Sequence, residues 1–243
     1  MNIDILVRRL NGYEKVKSDL SGGNLNELIL LRDDQKKKYI LQVQKKVRPV
    51  GEYLSEFFET VGIEDYRYRS LEEQVLFSQH CLDRGLLVPK IFEHDYNYII
   101  REFIEGTTYS EVLSNSENAL LLRYLQELMN IHKKGIVLGD RWGPNELVTP
   151  DGEIYFFDFD IELLDENNEE FEIAHAIYTS VINAKNKKNA ISLITKFFEN
   201  GALSYYDCDI LIKFLERHIT FYEGRRKRTQ TNEIERRLIK KLE

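Results

Sequence analysis

Three oxygen-bearing side chains in the middle of this 243-residue chain stand among residues that otherwise read as buried strand and loop. They are Asp140 and Asn145 in GIVLGDRWGPNELV, and Asp158 in YFFDFD. Gly139, Gly143 and Pro144 break any regular element around the first two, which places both in a loop. Asp158 ends a further strand. Pro150 to Gly152 is a turn signal between ELV and EIYFFDFDIELL, so the two strands form a hairpin that carries the loop and Asp158 to one edge. An Asn and an Asp at one edge suit a hard cation such as Mg2+, which takes few protein oxygens and leaves its other positions to substrate phosphates. A further Asp, off the metal, can accept or orient the proton of an attacking hydroxyl. Singly, each is an ordinary turn residue, and the joint spacing carries the signal.

The elements that must position these groups are readable in outline. Glu27 to Asp33 and Lys38 to Gln44 are β-prone runs separated by a polar turn, a hairpin. Ser21 to Asn24, SGGN, precedes them, and its paired glycines permit backbone conformations closed to other residues. From Arg69 to Gly85 the spacing is helical, with Leu71, Val75, Leu76, Gln79 and Leu82 in phase and Gly85 as the stop. LVPKIFEHD and YNYIIREFIEG read as another strand pair. Glu117 to Gly135 is a long helix with Leu121, Leu122, Leu125, Leu128, Met129 and Ile131 on a wide apolar stripe. Three helices follow Asp160, and Ser204 with Asp207 three residues on has the spacing of a capping box for the last. Strands first and helices later make an α+β chain with its join near Glu102 to Gly106.

Composition narrows the class. The formal net charge of -7 argues against general nucleic-acid binding, which needs positive potential to displace counterions. Hydrophobic residues make up 42%, enough for a core. Cys81 and Cys208 form no disulfide or zinc pattern, and no apolar run approaches a membrane span, so a soluble cytoplasmic protein is expected. The segment from Ile212 to Glu243 holds ten Lys or Arg against five Glu. Its GRRKR run, Gly224 to Arg228, reads as a solvated helix face or as a dock for an anionic partner. His132, His175 and His218 lack metal-ligand spacing and are expected at the surface or at helix ends.

LGDRWGPN and FDFD together resemble the catalytic loop and metal-binding strand end of the protein-kinase-like superfamily. The likeness is to its atypical branches: aminoglycoside and choline phosphotransferases, RIO kinases and lipopolysaccharide-sugar kinases. The resemblance implies a bilobal fold, with a β-rich N-lobe carrying one long helix over residues 1–103 and a helical C-lobe over 104–243. It implies ATP and Mg2+ as cofactors, Asp140 as the catalytic base, and Asn145 and Asp158 as metal ligands. Ser21, Gly22, Gly23 and Asn24 would cover the nucleotide phosphates, and the backbone of Glu102, Phe103 and Ile104 would receive adenine. Glu73 would pair with the phosphate-holding residue of the second hairpin strand. The implied activity is phosphoryl transfer to a hydroxyl of a small molecule, a sugar or lipopolysaccharide, or a protein. The short segment after Asp160 leaves no room for a long activation segment, and the 83 residues that follow are nearer in size to the RIO and lipopolysaccharide-kinase branch.

Two positions depart from that pattern. Leu138 stands where the family has an orienting His. Gln42 stands where it has a nucleotide-binding Lys or Arg. Lys38 and Lys46 share Gln42's strand face but lie about 13 Å along it, at roughly 3.3 Å per residue. Lys45 points to the other face unless a bulge or register shift brings it in. Gln42 can donate a hydrogen bond to phosphate, without charge assistance. Two readings follow: an active kinase with altered nucleotide geometry, or a catalytically impaired fold that binds nucleotide or a partner.

Overall fold

The computed structural model describes residues 3–10, 12–18, 26–45, 51–115, 119–226, 236 and 239–240. The chain is a mixed α+β protein. Helix α1 (Ile3–Arg9) leads into a five-stranded antiparallel sheet of β1 (Tyr13–Lys15), β2 (Asn26–Asp33), β3 (Lys38–Gln44), β5 (Ile91–Asp95) and β6 (Tyr98–Glu102), in the order β1-β2-β3-β6-β5. Alternation along the strands divides its faces. Ile29, Leu31, Tyr39, Leu41, Val43, Tyr98 and Ile100 pack with Leu6, Val7 and Leu10 of α1 and just beyond. Gln42, Ile99 and Arg101 belong to the other face, towards α3 (Leu71–Asp83).

α3 begins at a full capping box, in which the Ser70 hydroxyl accepts from Glu73 N–H and the Glu73 carboxylate accepts from Ser70 N–H. Its buried residues are Leu71, Gln74, Ser78 and Cys81, whereas Leu76 is 64% exposed. The inward face is therefore offset from the apolar phase read from the sequence. At Gln74 and Ser78 it is polar because those two residues line a small cavity of mixed character, while Cys81 joins the hydrophobic core.

The second body is helical. α2 (Gly51–Val61) presents Leu54, Phe57, Phe58 and Val61, at the i, i+3, i+4, i+7 spacing of an amphipathic helix. It packs against α8 (Cys208–Arg226), although it lies between two strands of the first sheet in sequence. α4 (Tyr109–Asn115), α5 (Ala119–His132), α6 (Asn168–Asn183) and α7 (Lys187–Glu199) complete the body, with a 3-10 turn at Ala202–Ser204. The N-cap of α8 is Asp207, whose carboxylate accepts from Ile210 N–H; Ser204 sits inside the 3-10 turn and bonds to Gly201 O. Asp207 is one residue before the helix, where a cap must be, and Ser204 is four before it.

Three short strand pairings bind the parts. β7 (Thr107–Thr108), β8 (Glu146–Val148) and β9 (Ile154–Phe156) form one antiparallel ribbon, and β4 (Tyr66–Tyr68) pairs with β10 (Ile161–Leu163). Among the described residues no helix is long and apolar enough to cross a membrane.

Phe57 is fully buried and contacts the rings of Trp142, Phe171, His175 and His218. Phe57→Ala is expected to destabilise the protein by about 3–5 kcal/mol in urea denaturation. A loss under about 1 kcal/mol would show that α2 is not part of the cooperative core.

Candidate functional site

The loop from Gly135 to Asn145 leaves α5 with Gly135 in the left-handed region and is gripped from beneath by α6. Glu172, wholly enclosed in α6, accepts from Leu138 N–H at 3.1 Å and Gly139 N–H at 2.6 Å. It also accepts from His132 Nε2 at 2.7 Å, and His132 Nδ1 lies 2.7 Å from the Tyr206 hydroxyl. His132 therefore ends α5, as expected, but is buried. Gly139 is irreplaceable here. Its φ is +107°, and a Cβ would fall 2.3 Å from the Ile161 carbonyl oxygen, so the loop can approach β10 only without a side chain.

Arg141 joins the loop to the segment after β9. Its guanidinium has no exposed surface and donates to the Phe157 carbonyl at 3.3 Å and the Asp158 carbonyl at 3.1 Å. It also meets Glu146 at 3.4 Å and lies 3.8 Å from Glu172. Phe157 N–H donates to Asn145 O at 3.2 Å, and Asn145 Nδ2 donates to Asp140 O at 2.8 Å. The hairpin thus brings Asp140, Asn145 and Asp158 together, as their spacing suggested. Asp158 itself has φ +63°, one of two described non-glycine residues with positive φ, a conformation Asp adopts more readily than most but which the surroundings must impose.

The three acids at this edge are all raised, chiefly by burial. Burial pushes Asp140 up to about 7, with Arg141 opposing and Glu172 adding. Burial and then the charges of Asp158 and Asp140 push Asp160 up to about 8. Asp158 is raised by burial, against Arg101 and Arg141. Crowded carboxyls of this kind are relieved by a cation. Among the described residues no three His, Cys, Asp or Glu side chains converge to hold a metal alone. Asn145, its Nδ2 committed and its Oδ1 left to accept, and Asp158 fit a hard cation that takes its remaining oxygens from a ligand.

Behind Asp140 lies a chain the sequence reading missed. His175 and His218 are not at the surface but fully buried inside α6 and α8. His218 Nδ1, 2.6 Å from the Phe214 carbonyl, must donate to it. His218 Nε2 then accepts from His175 Nδ1 at 2.8 Å, and His175 Nε2 is left bare, 3.2 Å from Asp140 Oδ1. Two acceptors face each other unless Asp140 holds a proton, and the elevated Asp140 carboxyl is consistent with that. Burial, reinforced by Arg141, pulls His175 down to about 3, so the proton belongs on Asp140.

On the sheet side, Gln42 is 2% exposed and donates to Gln74 Oε1 at 3.1 Å. Glu73 does not face it. That carboxylate caps α3 and pairs with Arg67 at 2.5 Å, because its position in the first turn points it along the helix start rather than into the cavity. Lys45 follows the end of β3 and is not among the residues lining the cavity at Gln42. Glu102 N–H is already bound to Lys90 O at 2.8 Å, while Phe103 and Ile104 lie beyond β6. Ser21, Gly22, Gly23 and Asn24 lie outside the described residues, as does the GRRKR run from Lys227, with the side chains of residues 224–226. Arg69 holds the other end of the site: its N–H donates to Asp160 O at 2.8 Å and its guanidinium to Phe159 O at 3.2 Å and Ile161 O at 2.8 Å. No family model matches the chain.

Two measurements probe this arrangement. Breaking the buried charge cluster with Arg141→Met is expected to remove about 3–5 kcal/mol of stability in denaturant titration, and a change under about 1 kcal/mol would deny it that role. The pH dependence has a definite sign. Asp140 and Asp160 have folded pKa values above their unfolded ones, so their contribution is complete below about pH 4 and is lost as pH rises through about 7 to 8. His175 shifts the other way, and its contribution is complete above about 6.5. Between pH 6.5 and 8.5, without divalent cations, the melting temperature should therefore fall, and Asp160→Asn should shrink the fall. A flat profile in the parent protein would contradict the raised acids.

Proposed function

We propose that this protein is an ATP- and Mg2+-dependent phosphotransferase of protein-kinase-like, bilobal fold, which transfers the γ-phosphoryl group to a hydroxyl acceptor. The observation that carries the reading is the convergence of Asp140, Asn145 and a left-handed Asp158 at the edge between the sheet and the helical body. The antiparallel sheet with α3 behind it, joined through residues 103–106 to the helices, is the arrangement that such a cleft requires.

In this reading Asn145 and Asp158 hold Mg2+, which supplies charge neutralisation to the transferring phosphoryl group. Asp140 orients the acceptor hydroxyl and takes its proton. To do so it must first be ionised, and its raised value near 7 puts that ionisation within the physiological range. Glu172 and Arg141 keep the two halves of the site in register through backbone contacts rather than by touching substrate. Phe103 and Ile104 offer backbone groups past the end of β6 for adenine, whereas the amide of Glu102 is already committed to Lys90. Between β10 and α6 only residues 164–167 intervene, so the acceptor meets an open edge without a long regulatory segment. The acceptor class is a small molecule, a sugar or lipopolysaccharide, or a protein, and the basic run from Gly224 is a candidate dock for an anionic partner.

One observation favours a second reading, a nucleotide- or partner-binding module without turnover. The position expected to carry a phosphate-holding ion pair carries the neutral Gln42 and Gln74 instead. ATP consumption with Mg2+ separates the two. Asp140→Asn and Asp158→Ala are each expected to lower the rate by at least about 100-fold, with circular dichroism unchanged. Equal near-background rates in the parent and in Asp158→Ala, with MgATP still bound, would replace the enzyme reading by the binding one.

A further inference from the structure

The cavity between β3, α3 and the segment Phe157 to Phe159 measures about 20 Å3, room for about one water. Its polar lining includes Gln42, Gln74, Ser78, Arg101 and Asp158. The two carboxamides are engaged with each other, and Gln74 Nε2 also donates to the Arg69 carbonyl at 3.2 Å. They are hydrogen-bonded and neutral.

Arg101 is in a different position. It lies on β6 opposite Ile40 of β3, on the same sheet face as Gln42, and is the one cationic side chain in the cavity lining. Its guanidinium carbon stands 5.4 Å from the Phe157 ring centre. Among the described residues that guanidinium makes no hydrogen bond and no ion pair within 4.0 Å, although Asp158 and Asp160 are near enough to counter the effect of its burial. A partly buried cation lining a small cavity without a hydrogen-bond or ion-pair partner is an unsatisfied group of the kind that proteins seldom keep without use. Of the two acids, Asp158 is the carboxylate that a divalent cation would take, which would leave Arg101 free for another anion.

We propose that Arg101 is the cation that contacts the phosphate groups of the bound nucleotide, in place of a lysine at position 42. The inference rests on the nucleotide reading above. The substitution is chemically coherent. Losing a lysine alone from a Lys–Glu pair would strand a buried carboxylate; here both partners are amides, which keep the β3–α3 contact as a hydrogen bond without net charge. The positive charge then comes from the neighbouring strand, about 4.8 Å away in the sheet. A guanidinium brings a planar fork that can meet two phosphate oxygens at once, where an ammonium meets phosphate as a point charge. The cavity is too small for a phosphate group as it stands, so the Arg101 side chain or its surroundings must shift when the anion enters.

Calorimetric titration of the full chain with MgATP and with adenosine tests this, using the parent, Arg101→Met, Arg101→Lys, and Arg101→Met combined with Gln42→Lys and Gln74→Glu. Arg101→Met should weaken MgATP about tenfold to a hundredfold, the range of a lost charge-assisted contact, and leave adenosine unchanged. Arg101→Lys should fall between, and the triple variant should recover MgATP affinity by restoring the cation on β3. Thermal melts of each variant accompany the titrations. If the parent binds MgATP and a folded Arg101→Met binds it equally well, the role of Arg101 is overturned while the nucleotide reading stands. If Arg101→Met loses adenosine and MgATP alike, Arg101 shapes the cleft and does not contact phosphate. If the parent binds no MgATP at millimolar concentration, the nucleotide reading fails and this inference with it.

Discussion

The arrangement depends on one buried charge cluster. Arg141, Glu146 and Glu172 have no exposed side-chain surface; Arg141 and Glu172 bond to backbone as well as to charge, and Glu146 accepts from the Tyr124 hydroxyl. Such a cluster gains little over a packed apolar core in net stability, because desolvation offsets most of the attraction. What it supplies is position. Glu172 fixes the loop's amides, Arg141 fixes the carbonyls at Phe157 and Asp158, and Asp140 is suspended between. Removing Arg141 would leave Glu146 enclosed without a cationic partner, so the geometry is held by the penalty for breaking it.

The sheet side is controlled more loosely. Arg69 ties the start of α3 to the backbone of Phe159 to Ile161, and Arg67 bridges Glu73 of α3 to Glu162 of β10. These contacts make the position of α3 a function of the backbone that follows Asp158. The Arg67 pairs are exposed and contribute little individually; the two carbonyl contacts of Arg69 are buried and carry the coupling. Movement of the helix and rearrangement of the acid cluster are therefore mechanically linked, and the Gln42–Gln74 contact lies on the same line.

Much of this was legible in the sequence where local chemistry decides. Gly and Pro punctuation placed the loop, the Pro150–Gly152 turn placed the hairpin, and the joint spacing of Asp140, Asn145 and Asp158 anticipated their meeting. α1 and α2 escaped notice even though Leu6, Val7 and Leu10, and Leu54, Phe57, Phe58 and Val61, carry helical spacing; the surrounding strands drew the reading of the first third. The expectation that Glu73 would face position 42 failed for a physical reason, and Gln74 stands there instead. Charge was taken as the guide to function, but the face that meets the cavity is set by helix phase, and the aliphatic residues that usually reveal phase are absent from a polar-facing side. His175 and His218 are 43 residues apart, and nothing local announces that α6 and α8 pack so that their rings meet.

α2 has a consequence for how the chain comes to be folded. It is made early, between two strands of the sheet, yet its burial needs α8, more than 140 residues later. Until α8 has emerged from the ribosome, Leu54, Phe57, Phe58 and Val61 have no finished surface to cover them. The helical body therefore cannot close progressively from its start, and loop-closure entropy must be met before this contact repays it. The nascent chain carries an aromatic helix in waiting through most of its synthesis, the sort of exposed apolar surface on which chaperones act.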